Sequence, residues 1–488
     1  MLDYQLWIAH LSFQSTRKKT YNDLWKFGEV LDKILSSLKE NPEIIYLQLL
    51  YKLIAYTRDI YGKGERDLSY MMIFIWYNYY PDHAIHALKC IHSIGCWKDI
   101  KYFCKWLRDY STLGINHPLI SESIKIMNRQ FNIDRQNDTC SMVAKWMPRE
   151  SSAFGWLYEK MFEDWITTLP ESLKILRKKY RTEMSALNRR LDTPQIKQCE
   201  KKWSTIVPKN VSMITKNRQC LAFLNENSVH SDIDRLNCRV NFQSYVHKKS
   251  TNSFSMIEWM KDVFSLKHKP SDIKRDKLLS IWDALSNSLS KMGNMIPVLD
   301  LSIADRDDIL GLVFMIMEKS FLSDRILMYD LFPTWFSFQH HPTIIDKIEF
   351  FRCAIKEKGI GSDIYRAIDL IIDTCLKTLS PLLIEDMVFV VFTDNPYSHL
   401  EIMNRFQRAG ILSPPHFIYW NNSSKISDAP FDYVHSTLFS GDSSSLFFLL
   451  KQLFTYSERN SIQKISSYEI LCNTLQNPRY DCYDFLHK

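Results

Sequence analysis

The chain has 488 residues, more than a single hydrophobic core usually supports, so two or three domains are expected. With 45% hydrophobic residues it can build sizeable cores. Its 12 Gly and 17 Pro are too few for an all-β, turn-dense chain or for long disordered tracts. The longest uncharged apolar stretch, Ser69 to Pro81, is 13 residues, against roughly 20 needed to cross a bilayer. The opening MLDYQLWIAHLSF carries Asp3 and no basic lead-in, so neither a membrane span nor a signal peptide is expected, and the expected location is the cytoplasm. Eleven cysteines without CxxC pairs suggest free thiols in a reducing compartment. The net charge of +7 is uneven, because Glu171 to Cys220 holds 13 Lys and Arg against 4 acids. A block of this kind attracts phosphate backbones or acidic protein surfaces, unless its charges are only solvated helix faces.

From Tyr21 to about Leu107 apolar residues recur at three- and four-residue spacing, as in LWKFGEVLDKILSSL and IIYLQLLYKLIAYTRDI, which predicts packed antiparallel helices. TRDIYGKGERDLSY (Thr57 to Tyr70) reads as a helix, tight loop, helix junction, and HSIGCWKDIKYFCKWL (His92 to Leu107) as another. Successive helix pairs imply a solenoid-like stack, although no fixed-period repeat is present. AKWMPRESSAFGWLYEKM (Ala144 to Met161) predicts a turn into a helix. LNRRLDTPQIKQCEKKW (Leu187 to Trp203) predicts two short helices hinged at Thr193-Pro194. Asn225 to Asn252 is polar and reads as an irregular connector.

Near Met295 the character changes. MIPVLDLS, RILMYDL (Arg325 to Leu331), TWFSF (Thr334 to Phe338), MVFVVFTD (Met387 to Asp394) and HFIYWN (His416 to Asn421) read as strands. Helices are predicted for ILGLVFMIMEKS, ending at Ser320, for Ile344 to Ile355, for Ile364 to Thr378 and for Glu401 to Arg408. Strands alternating with helices predict a doubly wound sheet, with ligands at the carboxyl ends of the strands, where Asp300 and Asp394 sit. The fold class is therefore α + α/β. Expected segments are a helical region with the basic segment (1–224), an irregular or helical connector (225–290), an α/β domain (291–460) and a C-terminal tail (461–488).

His83, His86, Cys90, His92 and Cys96 lie close together, but no closed CxxC or HxxxH pair supports zinc. The chain contains no Walker A loop, GxSxG elbow or HExxH motif, and no Cys/His pairing stands out as catalytic, so an enzyme is not expected.

Eight pieces in order, TRDIYGKGERDLSY, IGCWKDIKYFC, AKWMPRE, LNRRLDTPQIKQCEKKW, GNMIPVLDLS, MEKSFLSDRILMYDLFPTW, IEDMVFVVFTD and SPPHFIYWN, carry a family resemblance spanning about Tyr51 to Phe454. Together they resemble an uncharacterised family related to the TROVE/von Willebrand A architecture of Ro ribonucleoproteins, in the form found in large cytoplasmic DNA viruses. The resemblance implies a viral origin, action in the host-cell cytoplasm, and a TROVE-like helical region followed by a von Willebrand A-like domain.

In such A domains a DxSxS loop, a Thr and a further Asp gather a divalent cation, commonly Mg²⁺, with oxygen ligands. By resemblance Asp300, Ser302, Ser362 and Asp394 fall at ligand positions, while Ala304 replaces the third, offers no oxygen, and precedes a loop that is about four residues short. Asp305 is a candidate substitute. The expectation is a degenerate site, weakened or lost, in which Asp300 and Asp394 remain as strand-end hydrogen-bonding groups.

The helical half resembles RNA-binding TROVE modules. That implies phosphate contacts from Lys174, Arg177, Lys178, Lys179, Arg181, Arg189, Arg190, Lys197, Lys201 and Lys202, with Trp156, Tyr158, Tyr180 and Trp203 available for base stacking. Those aromatics have core positions as the alternative. Arg58, Lys63 and Arg66 in the TRDIYGKGERD junction are further candidates to touch RNA, with a structural salt-bridged turn as the alternative. The expected function is a non-enzymatic binding protein for RNA or a ribonucleoprotein with an A-like protein-interaction domain. The alternatives are a purely protein-binding scaffold and a divalent-cation-dependent A domain.

Overall fold

The computed structural model describes residues 3–15, 20–168, 172–211, 213–225, 232–248, 260, 263, 272–287, 291–355, 361–378, 384, 386–395, 397–420, 436–439 and 467–484. A series of helices comes first and a mixed six-stranded sheet flanked by helices follows. Helices α1 (Tyr4–Gln14), α2 (Tyr21–Glu40), α3 (Ile44–Arg58) and α4 (Arg66–Tyr79) open the chain. In α2 the buried residues Leu24, Phe27, Leu31, Ile34, Leu35 and Leu38 recur at helical spacing. Thr20 starts it by accepting the Asp23 N–H at 3.1 Å and donating to the Asp23 carboxylate at 2.8 Å. Gly28 allows α4 to lie close, since a Cβ there would stand 3.0 Å from Ile75 Cδ1 and 3.2 Å from Met71 Sδ.

By contacts the chain divides into one unit of Met1–Ile75 with Phe254–Lys488 and a second of Trp76–Ser253, a division that cuts across the boundaries at 224 and 290 read from composition. The second unit holds α5 (Pro81–Ile94), α6 (Trp97–Tyr110), α7 (Pro118–Gln136), α8 (Val143–Trp146), α9 (Gly155–Thr168), α10 (Leu173–Arg190), α11 (Pro194–Cys199), α12 (Met213–Arg218), α13 (Cys220–Phe223) and α14 (Ile233–Lys248). Helix α14 corrects the irregular connector expected at Asn225 to Asn252; residues 226–231 and 249–252 of that span lie outside the described residues. The hinge at Thr193-Pro194 holds, but the helix before it is α10, 18 residues long rather than short. The His/Cys cluster is divided among separate contacts. Cys90 Sγ lies 3.8 Å from His86 Nε2, His92 stacks on Trp97 at 4.2 Å, and His83 packs against Trp76 and Tyr80. Among the described residues no helix is long and apolar enough to cross a membrane.

In the first unit α15 (Asp272–Asn287) precedes β1 (Met295–Asp300), α16 (Asp307–Lys319), β2 (Arg325–Tyr329), β3 (Thr334–Ser337), α17 (Ile344–Ala354), α18 (Ile364–Thr378), β4 (Val388–Phe392), α19 (His399–Arg408), β5 (His416–Trp420) and β6 (Ser436–Phe439). The sheet order is β3-β2-β1-β4-β5-β6, parallel except for the antiparallel β2–β3 pair. Because both faces are covered, the central strands are continuously apolar. Alternate residues then serve opposite cores. Leu299, Met328, Val390 and Ile418 face α16 and α17, whereas Val298, Leu327, Val391 and Phe417 face α18 and α19. Of residues 291–460, 356–360, 379–383, 385, 396, 421–435 and 440–460 lie outside the described residues.

The C-terminal tail is structured where it is described. Helix α20 (Ser467–Leu475) and a 3₁₀ turn at Pro478–Tyr483 pack on α3 in the same unit. Gln48 Nε2 donates to the Tyr483 carbonyl at 2.8 Å, Lys52 pairs with Asp484 at 3.0 Å, and the Tyr51 and Tyr483 rings meet at 5.2 Å. Arg479 clasps Asp59 with two hydrogen bonds of 2.8 and 2.9 Å, and Tyr480 donates to the same carboxylate at 3.2 Å. Burial, and after it the Asp59 charge, pushes the Tyr480 hydroxyl above its ordinary pKa. The α3–α4 junction is therefore structural, with Arg58 and Lys63 buried, and its central acid is met from 420 residues downstream. A Cβ at Gly62 would fall 2.2 Å from the Tyr56 carbonyl oxygen. Gly62→Ala is therefore expected to cost about 1–3 kcal/mol in a urea unfolding titration. A loss below that range would show that the turn yields easily.

Candidate functional site

Strands β1 and β4 are parallel neighbours at the centre of the sheet, and the chain winds outward from them in opposite directions, which leaves a crevice at their carboxyl ends. Asp300 ends β1 inside that crevice with no exposed surface. Its Oδ1 accepts the Ser302 N–H at 2.9 Å, turning the chain into a 3₁₀ segment at Leu301–Ile303. Its Oδ2 accepts three side-chain bonds of 2.8 Å each, from Ser362 Oγ, Thr393 Oγ1 and Asn395 Nδ2. Ser362 comes from the segment before α18, and Thr393 and Asn395 follow β4. Asn395 Nδ2 also reaches Ser302 Oγ at 3.3 Å. Tyr329, paired with Asp300 across β1 and β2, buries its hydroxyl alongside; desolvation first, and then the Asp300 charge, raises its pKa well above the ordinary value.

Of the four nominated ligands, Asp300, Ser302 and Ser362 converge. Asp394 is engaged by Arg306, its Oδ2 accepting from Arg306 Nη1 at 3.3 Å. Ala304 is buried and offers a methyl group. Thr393 and Asn395, on either side of the nominated Asp394, are the residues that engage Asp300. Their position directly after an apolar strand was the signal that could have found them. Asp300 Oδ2, the oxygen that would face a divalent ion here, already accepts three hydrogen bonds, and Ala304 supplies no oxygen beside it.

In the basic segment α10 buries Leu176, Tyr180, Met184 and Leu187 at helical spacing and turns its charges outward. Tyr180 donates to the Pro148 carbonyl at 2.8 Å and packs with Phe131, Tyr158 and Phe162. Tyr158 and Tyr180 are therefore core residues and cannot stack on bases, a correction to the first of the two readings. Trp156 lies under Arg108 at 5.2 Å and Trp203 under Arg235 at 3.7 Å. Several of the nominated cations are already engaged. Arg177 pairs with Glu159 and with Glu150 (3.8 Å), Arg181 with Glu150 (3.4 Å), Lys197 with Asp192 (2.8 Å) and Lys202 with Glu200 (2.8 Å). Arg190 donates to the carbonyls of Asp134 (3.1 Å) and Asn137, and Lys179 is half-buried. Lys174, Lys178, Arg189 and Lys201 are exposed and form no ion pair with the described residues.

A second group of cations, absent from the nominated set, surrounds Trp146. The ammonium groups of Lys98, Lys101 and Lys145 lie 5.4, 5.6 and 5.8 Å from its ring centre. No protein-family model matches this chain, and no curated protein matches it. Burial, with the like charges of Lys98 and Arg149, lowers the Lys101 ammonium to about 8. Its unfolded value is about 10.4, so below pH 8 both states hold the proton and the crowded charge costs stability. Between those values only the unfolded chain keeps the proton, and stability rises with pH. The expected result is that Lys101→Met melts above the wild type below pH 8 and that this advantage shrinks between pH 8 and 10, where only the wild type gains stability by losing that proton.

Proposed function

We propose that this chain is a non-enzymatic binding protein of the TROVE/von Willebrand A type, in which the helical unit at 76–253 holds RNA and the α/β region engages a protein partner without a metal ion. The observation that carries the RNA half is the exposed set Lys174, Lys178, Arg189 and Lys201, which forms no ion pair with the described residues and is arrayed along α10 and the turn after α11. Cations spent on internal pairs cannot neutralise phosphates without breaking those pairs, whereas these four can. The A-like half is supported by the sheet order, by Asp300 at the switch point, and by the position of the Ser302 and Ser362 hydroxyls around it.

The test is salt-titrated binding of a structured RNA to the wild type and to Lys174→Ala/Lys178→Ala/Lys201→Ala. Each phosphate contact contributes about 0.7 to 0.9 to the log–log salt slope, so the triple variant is expected to bind more weakly with a slope shallower by about 2 to 3. Equal slopes would defeat the reading and favour a scaffold that recognises an acidic protein. For the α/β region, Mg²⁺ in place of EDTA is expected to leave the melting temperature within about 1 °C, because an ion that does not bind the native state adds nothing to its stability. A clear rise would instead indicate a cation-dependent domain.

A further inference from the structure

The second unit contains a cleft of about 470 Å³ lined by residues of α10, α11 and the segment after α8, a size within the range of small-molecule sites. Its charged lining is Arg149, Arg181, Arg189 and Glu200, and its apolar lining is Met184 and Ile196. Glu200 pairs with Lys202 at 2.8 Å, and Arg181 with Glu150 at 3.4 Å. Arg149 and Arg189 are exposed and form no ion pair with the described residues. Two arginines with no ion pair among the described residues thus share one cavity with the apolar side chains of Met184 and Ile196.

We propose that this cleft binds one nucleoside phosphate unit, with Arg149 and Arg189 gripping the phosphate and Met184 and Ile196 receiving the base. The proposal rests on the reading of 76–253 as the RNA-holding unit and gives that unit a defined subsite. A guanidinium donates two parallel bonds to phosphate oxygens, and the open mouth of the cleft leaves room for a nucleotide to enter. The base requires an apolar surface rather than a charged one, and Met184 adapts to an irregular ring outline. The positive field does not stop at the rim. Through Arg149 it continues to Lys101, Lys98 and Lys145 around Trp146, and Lys145 is tied to α11 by a 3.3 Å bond to Gln195. Among the described residues no ion pair to Lys98, Lys101 or Arg149 offsets this concentration, and the depressed Lys101 ammonium registers it. A second phosphate along a strand would have its counter-charges there.

Cys199 lines the cleft and is exposed, while Cys353, also exposed, lies in the other unit. The experiment is alkylation of the full chain with iodoacetamide, read by mass spectrometry at both cysteines, with and without adenosine monophosphate or a 12-nucleotide oligoadenylate. At ligand tenfold above its dissociation constant, modification of Cys199 is expected to slow about tenfold while Cys353 is unaffected. The protection should disappear in Arg149→Ala/Arg189→Ala, whose two side chains are at the surface. Protection by the mononucleotide identifies a free nucleotide as sufficient, and protection by the oligomer alone identifies a strand; both support the cleft. No protection by either, or protection that survives the double substitution, overturns it. An oligomer that binds with the salt dependence carried by Lys174, Lys178 and Lys201 yet leaves Cys199 unprotected overturns the cleft alone. Mononucleotide protection without oligomer binding overturns RNA holding and keeps the cleft.

Discussion

Asp300→Ala is expected to destabilise the α/β region by about 3–5 kcal/mol, the cost of dismantling a buried, charged hydrogen-bond centre. Four donors converge on this carboxylate, from Ser302 N, Ser362 Oγ, Thr393 Oγ1 and Asn395 Nδ2. Ser362 and Asn395 are partly exposed and can turn to water, but Thr393 is buried and cannot do so without moving β4. The substitution thus removes the acceptor and leaves a cavity at the junction of two strands and two loops. Asp300→Asn keeps the volume and one acceptor oxygen but aims an N–H₂ group at donors, so it should fall between the wild type and Asp300→Ala. Urea titrations with an unchanged denaturant slope measure both. A loss below about 1 kcal/mol for Asp300→Ala would mean that the network is peripheral to the fold.

Arg479→Ala is expected to cost about 2–4 kcal/mol and to loosen the C-terminal segment from α3. Asp59 has no exposed surface, and Arg479 gives it two of the three side-chain bonds on its carboxylate, the third coming from Tyr480. Once the guanidinium is gone, the carboxylate remains in a dry site with Tyr480 Oη and the Tyr61 N–H, which is 3.1 Å away. The Arg479 side chain is 42% exposed, which keeps the expected cost at the lower part of the range for buried pairs. Limited proteolysis should then cut near 467–484 sooner than in the wild type. Replacing both partners, Asp59→Leu with Arg479→Met, should recover much of the loss, because no buried charge is left unpaired. A double variant as unstable as Arg479→Ala would show that the pair itself, rather than the orphaned acid, carries the stability.

Much of the α/β region was legible because strands covered on both faces are written as unbroken apolar runs. MIPVLD and VFVVF announce themselves, and the alternation of Val298 with Leu299 assigns each residue to its core. The switch-point site was half legible. Asp300 could be placed from its position at a strand end, and Ser302 and Ser362 only through the resemblance, whose motif favoured Asp394 over its neighbours Thr393 and Asn395. Which of three consecutive residues turns inward depends on the backbone after β4 and on Arg306, 88 residues earlier, and neither is written locally. The basic block shows a related limit. Its sequence displays every cation but does not show that Arg177 and Arg181 share Glu150, which lies on another segment. Helix α14 escaped because its buried side is narrow, with Cys238 and Phe242 one turn apart amid polar residues.

The clasp between Asp59 and Arg479 also sets a schedule for the ribosome. The α3–α4 turn emerges about 420 residues before the side chain that neutralises its buried acid. At about 5–20 residues per second that interval is roughly 20 to 80 seconds. The stretch from Trp76 to Ser253 is uninterrupted in sequence and can finish during the wait. The unit into which it is inserted closes last, over a long loop. During synthesis the Tyr51 and Tyr56 surfaces of α3 therefore lack the tyrosines, Tyr483 and Tyr480, that later cover them. A nascent chain stalled before residue 467 would present that face to chaperones, and a ribosome-release assay would find it sticky until the last segment is made.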